Sequence, residues 1–478
     1  MSTGYATARP KRWWLRPAGG VVLAYLIVLA IGTVLLLLPI ARSGPGGANL
    51  LQAAFTSTSV VCVTGLAVVD TATYWSGFGH VVILLLAQVG GLGVMTLTSL
   101  ITLRLANRLG LRQRLSTSEE THSLGPGSVR QVVRAVVVSA LIVESVLTVV
   151  MALRLWLHYD EPLLRAIWLA LFQSVSAFNN LGYALYSDNL MGFVSDWWIC
   201  IPICVGVIVG GLGLPVLREL WHHRHLPQQA LASWWATRGV GPRARRRGIH
   251  RQHTRWSIHT RMMLTGTAAL LVGGFGYLLA AEWSNPGTLG PLSVPSKVLA
   301  SITLSVVPRT GGFNSVNVAE LRTESWFITD LLMLVGAGPG GTAGGLKITT
   351  VGVLAAIAIT EIRGNRRTRV FDRTIPSRTQ RTAVAVSFVF ISVMLVSTAL
   401  LLTWSPFALE PVLTEVISAL STVGLSTGIT PQLNPAGQIL LMVLMFIGRL
   451  GPITLAAALA VNTKATHYTL PEERPYIG

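Results

Sequence analysis

Acidic residues are scarce in this chain: 19 of 478, against 37 lysines and arginines, with charged residues of both signs making up only 12%. Soluble domains carry roughly a quarter. That deficit excludes an ordinary soluble fold, and a 51% hydrophobic share with mean hydropathy +0.59 points to an integral membrane protein. Cysteine is nearly missing as well. Cys62, Cys200 and Cys204 lie in or beside apolar stretches, so a disulfide framework is not supported and the last two read as neighbouring core thiols. No nucleophile with a base, no paired carboxylates and no metal-ligand spacing stand out, which argues against a membrane enzyme. His222, His223 and His225 sit among arginines without a Cys or carboxylate pattern and read as solvated. No cleavable signal is evident, because the apolar run from Val21 is twenty residues long and ends without a convincing cleavage site.

What is present is a series of long apolar runs: Val21 to Ile40, Val81 to Leu103, Val132 to Leu153, Ile199 to Leu217, Leu264 to Ala281, Ala383 to Leu402 and Ile439 to Val461. Most are long enough to cross a ~30 Å hydrocarbon core at ~1.5 Å per helical residue. Two shorter runs, Phe327 to Leu334 and Val351 to Ile359, flank the Gly-rich stretch Gly336 to Gly345 and together read as one broken span. Eight crossings are expected.

The excess of 18 positive charges raises the question of nucleic acid, but its distribution answers it. With the N-terminus placed in the cytoplasm and sides alternated, 29 of the 37 Lys and Arg fall in 1–20, 104–134, 218–261, 361–381 and the tail, all on one face. This is the positive-inside asymmetry, with anionic lipid headgroups as the partner of the basic loops and both termini cytoplasmic. No nucleic-acid role is expected.

Between the spans a motif repeats: Thr64-Gly65-Leu66, Leu181-Gly182-Tyr183, Gly311-Gly312-Phe313 and Val423-Gly424-Leu425, the glycines 65, 182, 312 and 424 being 117, 130 and 112 residues apart. Each follows an apolar stretch of half-span length, such as Leu50 to Cys62, too short to cross and too apolar for water. A re-entrant helix satisfies both constraints, since irregular backbone at membrane depth is tolerated where it lines a water-filled cavity. Phe55-x-Ser57-x-Ser59 and Phe172-x-Ser174-x-Ser176 each precede the glycine by ten residues, and Gly90, Gly210, Gly336 and Gly448 follow it by 25, 28, 24 and 24. Four tandem span, pore helix, span units are therefore expected in an all-α polytopic protein, as a pseudo-tetramer around a central pore. The boundaries read as an N-terminus at 1–19, unit one at 20–104, unit two with its preceding loop at 105–217, and a basic loop at 218–260. They continue with unit three at 261–360, a second basic loop at 361–381, unit four at 382–462 and a tail at 463–478.

Glycine admits dihedrals that let successive carbonyls face one axis, and carbonyl oxygens replace the hydration shell of a bare cation. At this point the chain resembles the Trk/Ktr/HKT superfamily of potassium transporters. The motifs that carry the likeness are Val63-Thr64-Gly65-Leu66, Ala177 to Tyr183, Pro308-Arg309-Thr310-Gly311-Gly312-Phe313-Asn314 and Ser421 to Gly428. Because one span precedes the first filter, the chain looks most like the KtrB-type membrane subunit. The resemblance implies potassium as the transported ion, glycine at all four filter positions being the potassium-preferring form, with sodium as a further candidate. It implies a filter of Val63, Thr64, Gly65, Asn180, Leu181, Gly182, Thr310, Gly311, Gly312, Thr422, Val423 and Gly424. It also implies a homodimer in the bacterial cytoplasmic membrane on a cytoplasmic RCK-type regulatory ring (KtrA/TrkA-like), with any nucleotide on that partner, because the chain has no recognisable Rossmann domain.

The Gly-rich break at about 336–346 is not a phosphate loop, lacking a contiguous Gly-Lys-Ser/Thr. Its likeness to the family's intramembrane loop makes Gly336, Gly338, Gly340, Gly341, Gly344 and Gly345 gate residues. Arg449, a charge in an apolar span, is expected to face the interior, since lipid exposure costs ~2.5–3.5 kcal/mol. It would oppose cation passage below the filter, with Lys347 acting alongside it, while Arg309 braces the filter from behind. The rival reading is a sodium-coupled solute symporter with broken helices, which predicts inverted repeats and embedded acids. The repeats here run in one orientation, and Glu144 is the main embedded acid.

Overall fold

The computed structural model describes residues 17–108, 129–221, 223, 256–365, 367–371 and 373–451. Both chain ends, His222, His225 and most of the 218–260 loop lie outside the described residues. Apolar sequence folds as helix here because hydrocarbon offers no partner to a free N–H or C=O. The helices are α1 (Pro17–Leu37), α2 (Leu50–Val61), α3 (Gly77–Arg108), α4 (Val129–His158), α5 (Leu163–Asn179), α6 (Trp197–Leu212) and α7 (Ile258–Glu282). After them come α8 (Val294–Val306), α9 (Thr323–Leu334), α10 (Ile348–Ile362), α11 (Ser377–Trp404), α12 (Leu409–Ser421) and α13 (Pro435–Leu450).

By length and composition, five helices among the described residues can cross a membrane, within α1, α3, α4, α7 and α11. A sixth arises if α6 is joined to Leu214–Trp221 across a 99° bend. The remaining expected crossings are the broken pair α9 and α10 and the 16-residue α13, whose continuation past Gly451 is not described. Long helices expose apolar side chains outward, such as Ile27, Ile31 and Val34 on α1 and Phe388, Leu395 and Val396 on α11. This is the mark of a lipid-facing surface: a polytopic helical membrane protein.

The four half-length helices are different. α2, α5, α8 and α12 bury hydroxyls where the long helices bury aliphatics: Thr56 to Ser59, Ser174 and Ser176, Ser301, Thr303 and Ser305, and Thr414, Ser418 and Ser421. In the first three units these hydroxyls tie the short helix to the span before it, Ser174 through Thr148 on α4 (2.6 Å), whereas in the fourth Thr414 donates to Asp330 on α9 (3.2 Å). Ser57 Oγ donates to the Leu29 carbonyl (2.9 Å) and Ser305 Oγ to the Leu271 carbonyl (2.7 Å), while Gly32 and Gly274, three residues on, leave room for the serine. α2 begins with a capping box, Asn49 and Gln52 satisfying each other's backbone N–H groups.

Packing between units is cyclic. α3 packs on α5, α6 on α8, α9 on α12 and α13 on α2, so each unit's last helix meets the next unit's short helix and the fourth returns to the first. Within three units the last helix also closes onto the end of its own short helix, at the glycine that follows the filter at fixed distance: a Cβ on Gly90, Gly210 or Gly448 would overlap the carbonyl of Val61, Phe178 or Leu420. The third unit departs from this, since Gly336 lies against Gly344 of its own break. Gly448→Ala is expected to destabilise by ~1–3 kcal/mol, the usual cost of overpacking, read as a lowered melting temperature in detergent.

Within the 361–381 loop, Arg369–Val370 and Arg373–Thr374 form a two-stranded antiparallel hairpin, β1 and β2. Phe371 at its turn lies 4.2 Å under the Arg261 guanidinium at the start of α7, a cation–π contact that sequence distance concealed.

Candidate functional site

The chain leaving each short helix adopts the same unusual backbone. Val63, Asn180, Thr310 and Thr422 have φ of 53, 61, 69 and 51°, and two residues on Gly65, Gly182, Gly312 and Gly424 have 95, 84, 70 and 95°. Left-handed backbone is rare for a non-glycine residue, and rarer for β-branched Val and Thr. Its recurrence at one place in four units marks strain held by the surroundings. Those surroundings are donors used up on the outer side. The N–H groups of Thr64, Leu181 and Val423 donate to Ser59, Ser176 and Ser418 carbonyls (2.7, 2.8 and 2.9 Å), and Gly311 N–H donates to Val307 (2.7 Å). Gly65 and Gly424 N–H donate to the hydroxyls of Ser59 (3.1 Å) and Ser418 (3.0 Å).

The carbonyls of Thr64, Leu181, Gly311 and Val423 accept no hydrogen bond among the described residues. Each lies against a glycine of the preceding unit instead. A Cβ on Gly65 would overlap the Leu181 oxygen and one on Gly424 the Thr64 oxygen; on Gly182 it would stand 2.9 Å from the Gly311 oxygen, and on Gly312 2.6 Å from the Val423 oxygen. The four stretches thus form a closed ring of buried backbone oxygens. Every predicted filter residue lies in it, with Gly65 alone partly exposed. One carbonyl departs from the expected free state: that of Gly182 accepts from Asn189 Nδ2 (3.1 Å).

Side chains brace the ring from behind. Tyr183 donates from its hydroxyl to the Leu66 carbonyl (2.7 Å), joining the first two stretches. Glu144 on α4 accepts from Gln88 (2.7 Å) and Asn179 (3.2 Å). Arg309 is buried and reaches Thr267 on α7 (3.3 Å), away from the ring. Glu415 on α12, which the sequence reading passed over, is fully buried and accepts from Ser426 and from Thr430 (2.8 Å), just beyond Gly424. A carboxylate followed eleven residues later by a serine is no recognisable signal on its own.

Beside the ring lies the break between α9 and α10, running from Val335 to Lys347 and pinched where these two ends pair around it, Val335 bridging Leu346. Gly336, Gly338, Gly340, Gly341 and Gly344 are buried and Gly345 half-buried. The break is held by the second unit, Gly338 and Thr342 donating from N–H to the carbonyls of Gly211 (3.0 Å) and Gly210 (3.1 Å). Its Gly344 packs against Ser421 and Thr422 of the fourth unit. Arg449 closes the clamp: buried as expected, it donates to the Thr342 carbonyl and to the Gly90 carbonyl (2.8 Å). Among the described residues no carboxylate pairs with it. Lys347 is half-buried and turns back onto the Ala343 and Gly344 carbonyls, which follow Arg449's partner Thr342 in the break.

Comparison with known proteins places this arrangement. The family model for TrkH, described as a cation transport protein, matches residues 20–231 and 265–468. The chain is 34% identical to the Ktr system potassium uptake protein B of Bacillus subtilis over 469 residues, covering 97% of this chain and 98% of that one. It is 34% identical to the protein of the same name from Vibrio alginolyticus (96% and 94% covered), and 28% to the potassium/sodium uptake protein NtpJ of Enterococcus hirae (97% and 98%). The crystal structure of the potassium transporter TrkH from Vibrio parahaemolyticus superposes with a TM-score of 0.68 at 18% identity, covering 93% of this chain and 86% of that one. At that identity the match speaks for the fold.

Proposed function

Since the chain belongs to the TrkH family of cation transport proteins, we propose that it admits potassium to the cell through a filter of backbone carbonyls. The carbonyls are those of Val63, Thr64, Asn180, Leu181, Thr310, Gly311, Thr422 and Val423, with the four glycines setting their direction. The observation that carries this reading is the closed ring of unpartnered oxygens, each against the preceding unit's glycine. A desolvated cation is the ligand such a ring suits, its lost water replaced by carbonyl dipoles. Eight crossings arranged as four units surround the path, and the membrane potential drives the ion inward, ~2.3 kcal/mol per 100 mV for each charge.

Below the filter, the Gly-rich break obstructs the path and Arg449 both pins it and repels cations. Opening means releasing the Thr342 carbonyl from Arg449. Control comes from outside the chain, from a cytoplasmic nucleotide-binding ring under a homodimer in the bacterial cytoplasmic membrane, termini inward. The name of the Enterococcus relative supports including sodium in any test.

Rubidium-86 uptake into proteoliposomes under competition tests the proposal. Potassium and rubidium are expected to compete at least tenfold better than sodium. Equal competition by sodium overturns the potassium assignment, and no uptake at all overturns transport by this subunit.

A further inference from the structure

Thr342 spends all three of its polar groups, and the third reaches the filter. Its N–H goes to Gly210, its carbonyl to Arg449, and its hydroxyl donates to Asn180 Oδ1 at 3.0 Å, with the Phe178 carbonyl farther off at 3.3 Å. Asn180 Nδ2 in turn donates to Thr310 Oγ1 (3.0 Å), whose own proton goes to the Arg309 carbonyl (2.6 Å). The direction is consistent throughout: Thr310 has given away its only proton and needs a donor, which fixes the Asn180 amide and leaves its oxygen for Thr342. Thr342, Asn180 and Thr310 are fully buried, so no water competes. The absence of a side chain at Gly210, where a Cβ would stand 2.8 Å from Asn180 Oδ1 and 3.0 Å from Thr342 Oγ1, leaves room for the link.

We infer that Thr342 is a positioning residue coupling the break to the filter, its hydroxyl holding the Asn180 side chain, and through it Thr310, while the break is closed. This rests on the break being the gate. The asymmetry of the site supports it: the hydroxyls of Thr64 and Thr422, in the other two stretches, have no hydrogen-bond partner among the described residues. Movement of the break therefore changes hydrogen bonding at the filter in the second and third units, whereas toward the fourth the break makes only the packing contact of Gly344 with Ser421 and Thr422. Selectivity and gating are linked through one hydroxyl.

Two variants test this in proteoliposomes, each read for rubidium flux and for the rubidium-to-sodium preference. Deleting 338–344 removes both gate and hydroxyl, and is expected to raise flux and lower the preference about tenfold. Raised flux with unchanged preference overturns the coupling and spares the gate; flux that does not rise in well-folded protein overturns the gate. Thr342→Val removes the hydroxyl alone and is expected to lower the preference by a similar factor, with Thr342→Ser restoring it. If Thr342→Val keeps the wild-type preference, the coupling is wrong; if that variant fails to fold, the deletion decides.

Discussion

Replacing Arg449 with alanine is expected to raise rubidium flux at least tenfold in protein that still elutes as a single folded species. Two effects point the same way. The side chain donates to the carbonyls of Thr342 and Gly90, and hydrogen bonds from a charged group contribute ~1.5–3 kcal/mol each. Losing the bond to the break alone shifts its closed state by about tenfold or more. The fixed charge also goes: a cation passing within ~8 Å of it pays ~2 kcal/mol at an effective dielectric near 20. Arg449→Lys separates the two, keeping the charge while losing the fork that reaches both carbonyls, so its flux should rise less. Unchanged or reduced flux in the folded alanine variant would falsify the obstructing role.

The opposite outcome is expected at the ring. Gly182→Ala should cut uptake at least a hundredfold, because the added carbon would stand 2.5 Å from Gly312 Cα and 2.6 Å from its carbonyl carbon, distances side chains do not tolerate. Left-handed backbone adds strain of ~1–2 kcal/mol for a non-glycine residue. Gly46 provides the control, having nearly the same φ, +82 against +84°, with nothing within 4 Å of a Cβ. Gly46→Ala carries the strain without the collision and should transport within twofold of wild type. If both alanine variants transport alike, the contact between Gly182 and Gly312 has no bearing on ion passage.

What was legible in the sequence was whatever repeats locally. Apolar length marked α1, α4, α7 and α11, and Leu50 to Cys62 stood out as a stretch too short to cross, where the structure has α2 ending at Val61. The filter glycines and the following Gly90, Gly210 and Gly448 were visible as intervals because each needs the absence of a side chain, a property one letter records. Arg449 was conspicuous because a charge in an apolar run needs a buried reason. Its reason was not visible: Gly90 lies 359 residues away. The link from Thr342 to Asn180 spans 162 residues and the one from Asn180 to Thr310 spans 130, and nothing in a threonine or an asparagine announces such a partner. The 99° bend after α6 and the β1–β2 hairpin escaped for a related reason: both depend on what packs against them.

The cyclic contact between first and last units, α13 on α2 and Gly424 on Gly65, has a bearing on how the protein is made. A ribosome that has released three units has inserted a ring with one side open, facing lipid where Leu409 to Gly424 will go. On the proposed reading no enclosed ion path exists at that stage, and the enclosure and its lock are finished together, because Arg449 follows Gly424 by only 25 residues. A half-synthesised chain is then expected not to leak, completion delivering the proposed pore already shut.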